Sequence, residues 1–168
     1  LLGASAQKGE AGVNILIYGP TGVGKTELAR LLAQEAHCEL YEVESANAQG
    51  GSMSGRDRYR SMQIAQSFLK GRRNTALLFD EVEDVFPASA GMELMAFTGV
   101  SEASGSSVSG KAWVNRTLET NPVPTIWISN NIRQIDAAYL RRFQYHLELK
   151  NPPANVRQKI VRKHLEGL

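Results

Sequence analysis

The sequence predicts an α/β fold in which helices cover both faces of a parallel sheet, in a chain of 168 residues. Three observations carry that prediction. Short apolar runs rich in β-branched residues alternate with stretches of helical apolar spacing, as strands joined by crossover helices do. The run 76–79 suits a strand buried on both faces, and 125–128 is a further apolar strand. Finally, the glycine-rich octapeptide GPTGVGKT at 19–26 stands between an apolar run and a helical pattern. A chain of this length buries a full sheet-and-helix core without metals or disulfides.

Taken in order, residues 1–14 read as the end of an upstream helix, and 15–18 as the first strand. The octapeptide has the phosphate-binding P-loop pattern: Gly19, four residues, then Gly24, Lys25 and Thr26. The loop Gly19, Pro20, Thr21, Gly22, Val23 and Gly24 is expected to wrap an anion, its backbone N–H groups (Pro20 has none) pointing inward and Lys25 reaching the β and γ phosphates. Leu28, Leu31, Leu32 and Ala36 recur at helical spacing, so the helix N-terminus adds its free amides and dipole to the cradle. The ligand stretch runs through Glu27, and Thr26 is placed to bind Mg²⁺. The expected ligand is a nucleoside triphosphate.

A second strand is expected over 39–44 and a third over 75–79. The third ends in Asp80 and Glu81, a Walker B signature. Asp80 is expected to hold Mg²⁺, directly or through water, and Glu81 to polarise the attacking water. Glu83 and Asp84 read as a solvated face without a role. Residues 87–110, rich in Ala, Gly and Ser, read as a long loop in which Met92, Leu94, Met95 and Phe97 form a candidate adhesive patch. The helix over 111–120 turns Trp113, Val114 and Leu118 to the core and stops at Asn121 and Pro122.

The fourth strand, 125–128, leads to Asn130, an amide at the carboxyl end of a parallel strand where ligands gather. Taken alone, an Asn pair after a strand is usually a turn or a helix cap. Asp136 is expected to cap a short helix that ends in Arg141 and Arg142 beside Phe143. Those guanidinium groups suit phosphate oxygens, or else form a solvated basic helix end. A fifth strand over 145–149 and a helix over 155–168 complete the reading.

Composition excludes several classes. The single cysteine, Cys38, permits no disulfide within the chain and reads as packing filler. Nearly balanced charge, 19 basic against 17 acidic residues, gives no sign of nucleic-acid binding. No run approaches a membrane span, so the expected location is cytoplasmic and no membrane partner is expected.

Together GPTGVGKT, ALLFDE, TIWISNN and IDAAYLRRF, in this order, resemble the AAA+ ATPases over about residues 13–153. The resemblance implies a three-layer P-loop NTPase core over 1–153, with a five-stranded parallel sheet in order 5-1-4-3-2. It implies ATP or ADP and Mg²⁺ as ligands, Asn130 as sensor 1, and Arg141 and Arg142 as fingers toward a neighbour's nucleotide. Arg142 is preferred for its place immediately before Phe143. A ring follows, a hexamer in the full-length protein, acting on a macromolecule that is protein rather than nucleic acid. Residues 154–168 would begin a C-terminal helical lid that is largely absent. Protein-unfolding members carry an aromatic in the pore loop after the second strand, whereas SANAQGGSMSG offers Met53 instead, which argues against threading. Two other readings stand beside a remodelling ATPase. One is a nucleotide-dependent assembly switch with negligible turnover; the other is a small kinase or GTPase, against which the missing NKxD guanine motif counts.

Overall fold

The computed structural model of the chain describes residues 2–46, 49–85 and 110–165. Its centre is a sheet of five strands: β1 (Asn14–Tyr18), β2 (Glu39–Glu42), β3 (Thr75–Phe79), β4 (Thr125–Ser129) and β5 (Tyr145–Glu148). All four pairings are parallel and the order is β2-β3-β4-β1-β5, the expected 5-1-4-3-2 read from the other edge. β3 and β4 are buried at every position, which is why both lack polar alternation. The edge strands β2 and β5 hold half-buried and exposed residues only. β2 ends two residues short of the expected boundary, although the Val43 N–H still donates to Leu78 O at 2.9 Å.

The helices are α1 (Leu2–Lys8), α2 (Lys25–Glu35), α3 (Gly55–Leu69), α4 (Gly110–Thr120), α5 (Ala137–Leu140) and α6 (Ala154–Leu165). Strand residues alternate between two cores. Leu16, Leu77, Phe79 and Trp127 pack with Tyr59 and Met62 of α3 and Val114 and Leu118 of α4. Ile15, Ile17, Ala76, Leu78, Ile126 and Ile128 pack on the opposite face with Leu2 of α1 and Ala29 of α2. These are the three layers. The candidate patch of Met92, Leu94, Met95 and Phe97 lies outside the described residues, as does the side chain of Trp113. Among the described residues no helix is long and apolar enough to cross a membrane.

Candidate nucleotide site

The site is assembled where β1, β3 and β4 end. Leaving β1, the chain turns at Gly19, which is buried, has φ 150°, and donates its N–H to Ser129 O at 3.2 Å. A Cβ at this position would meet Leu149 O at 2.0 Å, so only glycine fits between the P-loop and the end of β5. Gly24 opens α2 at φ 88° without a side-chain cap, which leaves the first-turn amides to an anion.

Lys25 is buried, and its ammonium donates to Gly19 O at 2.8 Å, Pro20 O at 2.8 Å and Asn130 Oδ1 at 2.9 Å. One turn position on, Thr26 Oγ1 donates to Asp80 Oδ2 at 2.9 Å, while Asp80 Oδ1 accepts from the Glu81 N–H at 2.8 Å. The structure therefore brings Lys25, Thr26, Asp80 and Asn130 to one place, with the exposed Glu81 next to Asp80. A hydroxyl and a carboxylate at this separation are hard oxygen donors of the kind Mg²⁺ takes, so the residues fit the ion. Glu27 stands apart on the outer side of α2, its carboxylate paired with Arg30 at 2.7 Å.

Two residues that sequence reasoning passed over hold this arrangement. Glu83, expected to be a solvated acid, is instead half-buried. Its Oε1 accepts from Ser129 Oγ at 2.8 Å, from the Asn131 N–H at 3.0 Å and from the Asn130 N–H. The reason is topological: β3 and β4 are neighbours, so the turn after one faces the turn after the other. Arg58 of α3 is only 1% exposed, with its guanidinium 4.7 Å from the centre of the Phe79 ring. It donates to the carbonyl oxygens of Asp80 and Glu81, the latter at 3.4 Å. The adjoining Glu81 adopts φ 53°, a left-handed conformation uncommon outside glycine. Local sequence gives no sign of either role. Cys38 is half-buried and burial pushes its thiol pKa up, which suits filler rather than a reactive thiolate.

Arg141 and Arg142 are at the other end of the sheet. Asp136 caps α5 by accepting from the Ala138 N–H at 2.8 Å, and the arginines follow that helix. Arg142 O accepts from Asn14 Nδ2 at 3.4 Å, which puts it beside the start of β1. The P-loop leaves the far end of that strand, roughly 13 Å away at strand rise. Arg142 Nε also donates to Glu119 at 3.0 Å and its Nη1 to Ala138 O at 2.6 Å. Arg141 is exposed and makes no side-chain hydrogen bond among the described residues.

A glycine-rich loop on a helix N-terminus, a lysine and a Thr–Asp pair at the carboxyl ends of a parallel sheet define a P-loop nucleotide-binding protein. The sequence profile of the ATPase family associated with various cellular activities (AAA) matches residues 15–151, and the chain belongs to that family. It is 28% identical over 92% of its length to a 26S proteasome regulatory subunit 8 homolog of Schizosaccharomyces pombe. Over 68% of its length it is 34% identical to the Holliday junction branch migration complex subunit RuvB of Mycoplasma pneumoniae. The chain spans 38% and 33% of these relatives' lengths. Among solved structures, the FIGL-1 AAA domain in complex with ADP shares the fold, with TM-score 0.61 and 19% identity over 92% of this chain and 48% of that one.

Proposed function

We propose that the chain binds ATP with Mg²⁺ and hydrolyses it at interfaces between subunits of a ring, a hexamer in the full-length protein, to drive remodelling of a protein partner. The observation that carries this reading is the convergence of Lys25, Asn130, Thr26 and Asp80, with Glu81 beside them. Lys25 exchanges its carbonyl acceptors for phosphate oxygens and offsets their charge. Thr26 and Asp80 hold the ion, which when bound neutralises charge on the phosphates. Glu81 takes a proton from the attacking water at its carboxylate, and the Asn130 amide orients that water and the γ phosphate.

The arginines lie too far from their own P-loop to serve it, which supports action on a neighbour's nucleotide. Arg141 suits the finger better than Arg142, whose guanidinium is engaged by Glu119 and Ala138. A protein partner is favoured over nucleic acid because the proteasome subunit is matched over more of the chain than the junction-migration subunit, and because charge is balanced. A cytoplasmic location accords with the lone cysteine.

Mixing tests the reading in the assembled full-length protein. Arg141→Ala and Lys25→Ala subunits, each nearly inactive alone, should recover turnover together, because one supplies an intact pocket and the other an intact finger. A trans finger is worth about 10³ to 10⁵ in rate. A parent without turnover would leave only an assembly switch, and an active parent without recovery on mixing would remove the interface site.

A further inference from the structure

We propose that Glu83 is a positioning residue for the hydrolytic step, locking the loop that carries Asn130 to the turn that carries Glu81. The proposal rests on the reading of the site as an ATPase centre and assigns a role to a side chain outside its phosphate and metal contacts. One oxygen of Glu83 accepts three hydrogen bonds from consecutive residues at the end of β4: Ser129 Oγ, the Asn130 N–H and the Asn131 N–H. Ser129 Oγ accepts in turn from the Asn131 N–H at 3.1 Å, which closes a small ring around the carboxylate. The other oxygen, Oε2, is buried and has no partner among the described residues.

This grip has a direction. Asn130 is exposed and its backbone is fixed chiefly by the carboxylate, while its amide oxygen meets Lys25. Glu83 itself belongs to the 3₁₀ turn Val82–Asp84, which Glu81 opens in its left-handed conformation. From below, Arg58 holds that turn by the carbonyls of Asp80 and Glu81. The catalytic carboxylate, the orienting amide and the phosphate-binding lysine thus belong to one hydrogen-bonded body, and Glu83 is the link between the β3 and β4 parts. A carboxylate is suited to the task because a charged acceptor holds amides about twice as strongly as a neutral one. Without it Asn130 keeps its chemistry but loses its place, and a displacement of about 1 Å can cost about a hundredfold in rate.

The test uses the active, full-length assembly with ATP and Mg²⁺. Glu83→Ala should lower kcat by about tenfold to a hundredfold while KM stays within about threefold. Glu83→Gln keeps an acceptor oxygen for the same three donors and should recover part of that loss. The deciding measurement is the double variant. If Glu83 acts through Asn130, adding Glu83→Ala to Asn130→Ala should lower kcat no further, whereas a merely structural role would multiply the two losses. Unchanged kcat in Glu83→Ala, or multiplicative losses in the double variant, would overturn the proposal and leave the ATPase reading standing. An assembled parent that binds ATP without turning it over would overturn both.

Discussion

The two ends of the parallel sheet both hold polar side chains away from bulk water, and they use them differently. At the amino end, Asn14 is fully buried and its amide is used on both sides. Nδ2 donates to Gly12 O at 3.0 Å and Leu118 O at 2.7 Å, while Oδ1 accepts from Trp127 Nε1 at 2.9 Å and Asn121 Nδ2 at 3.3 Å. These bonds join β1, β4, α4 and the connecting loops into one network, in which Asn121 Oδ1 is buried without a partner among the described residues. At the carboxyl end the bonds run between groups with something left to give. The Lys25 ammonium rests on neutral oxygens that a phosphate would outbid. Buried polar groups therefore mean different things: a network of neutral side chains and carbonyls specifies the fold, whereas one that an anion can rearrange specifies a site.

That contrast is broken most directly by Lys25→Ala. Two charge-assisted hydrogen bonds to phosphate, at about 1.5–3 kcal/mol each, are lost, so ATP affinity should fall by about a hundredfold to ten-thousandfold. The melting temperature should move little, because two of the three acceptors left behind, on Pro20 and Asn130, belong to exposed residues. Isothermal titration beside a thermal melt checks both, and undiminished affinity would end the phosphate assignment. Asn14→Ala should do the reverse. It strands the Trp127 N–H and the Gly12 and Leu118 carbonyls in the core, and about 3–5 kcal/mol of stability should go. In denaturant titrations that loss should appear with ATP affinity of the folded protein essentially unchanged.

Legibility in the sequence divides along physical lines. β3 and β4 could be read because strands buried on both faces are uninterrupted apolar runs. The nearness of the P-loop to Asp80 could be read because the glycine-lysine spacing and an acid directly after a buried apolar strand both place residues at the carboxyl end of a parallel sheet. α3 could not be drawn from its periodicity, because its pattern is partly inverted. Arg58 and Gln66 are buried, while Ile64 and Phe68 are 58% and 79% exposed. Arg58 between Arg56 and Arg60 looks like any solvated basic run until Phe79 and two carbonyls are found around it. Glu83 was hidden for a related reason. Its partners follow a different strand, and only the adjacency of β3 and β4 brings them together.

The smallest effect sharpens the comparison inside a single helix turn, where Arg58 faces the site and its neighbour Tyr59 faces packing. The Tyr59 hydroxyl lies 2.7 Å from Thr117 Oγ1 of α4, and burial pushes the phenol up to about 12, against a smaller opposing influence of that hydrogen bond. The folded pKa is raised above the unfolded value of about 10, so the unfolded chain ionises first as pH rises. Tyr59 should therefore contribute its full stability below pH of about 10 and lose about 2–3 kcal/mol of it between about 10 and 12. Tyr59→Phe removes the ionising group. At neutral pH it should cost only about 1 kcal/mol for the lost hydroxyl contact, and it should flatten the alkaline limb of the stability curve. Denaturant titrations of both proteins from pH 8 to 11.5 make the measurement, with an unaltered alkaline slope in the variant counting against Tyr59 as its source. Since the hydroxyl that Tyr59→Phe removes bonds to Thr117 of α4, ATP turnover at neutral pH should be unaffected. A fall in kcat would mean that α3 transmits packing to Arg58, and that the two faces of the helix are not independent.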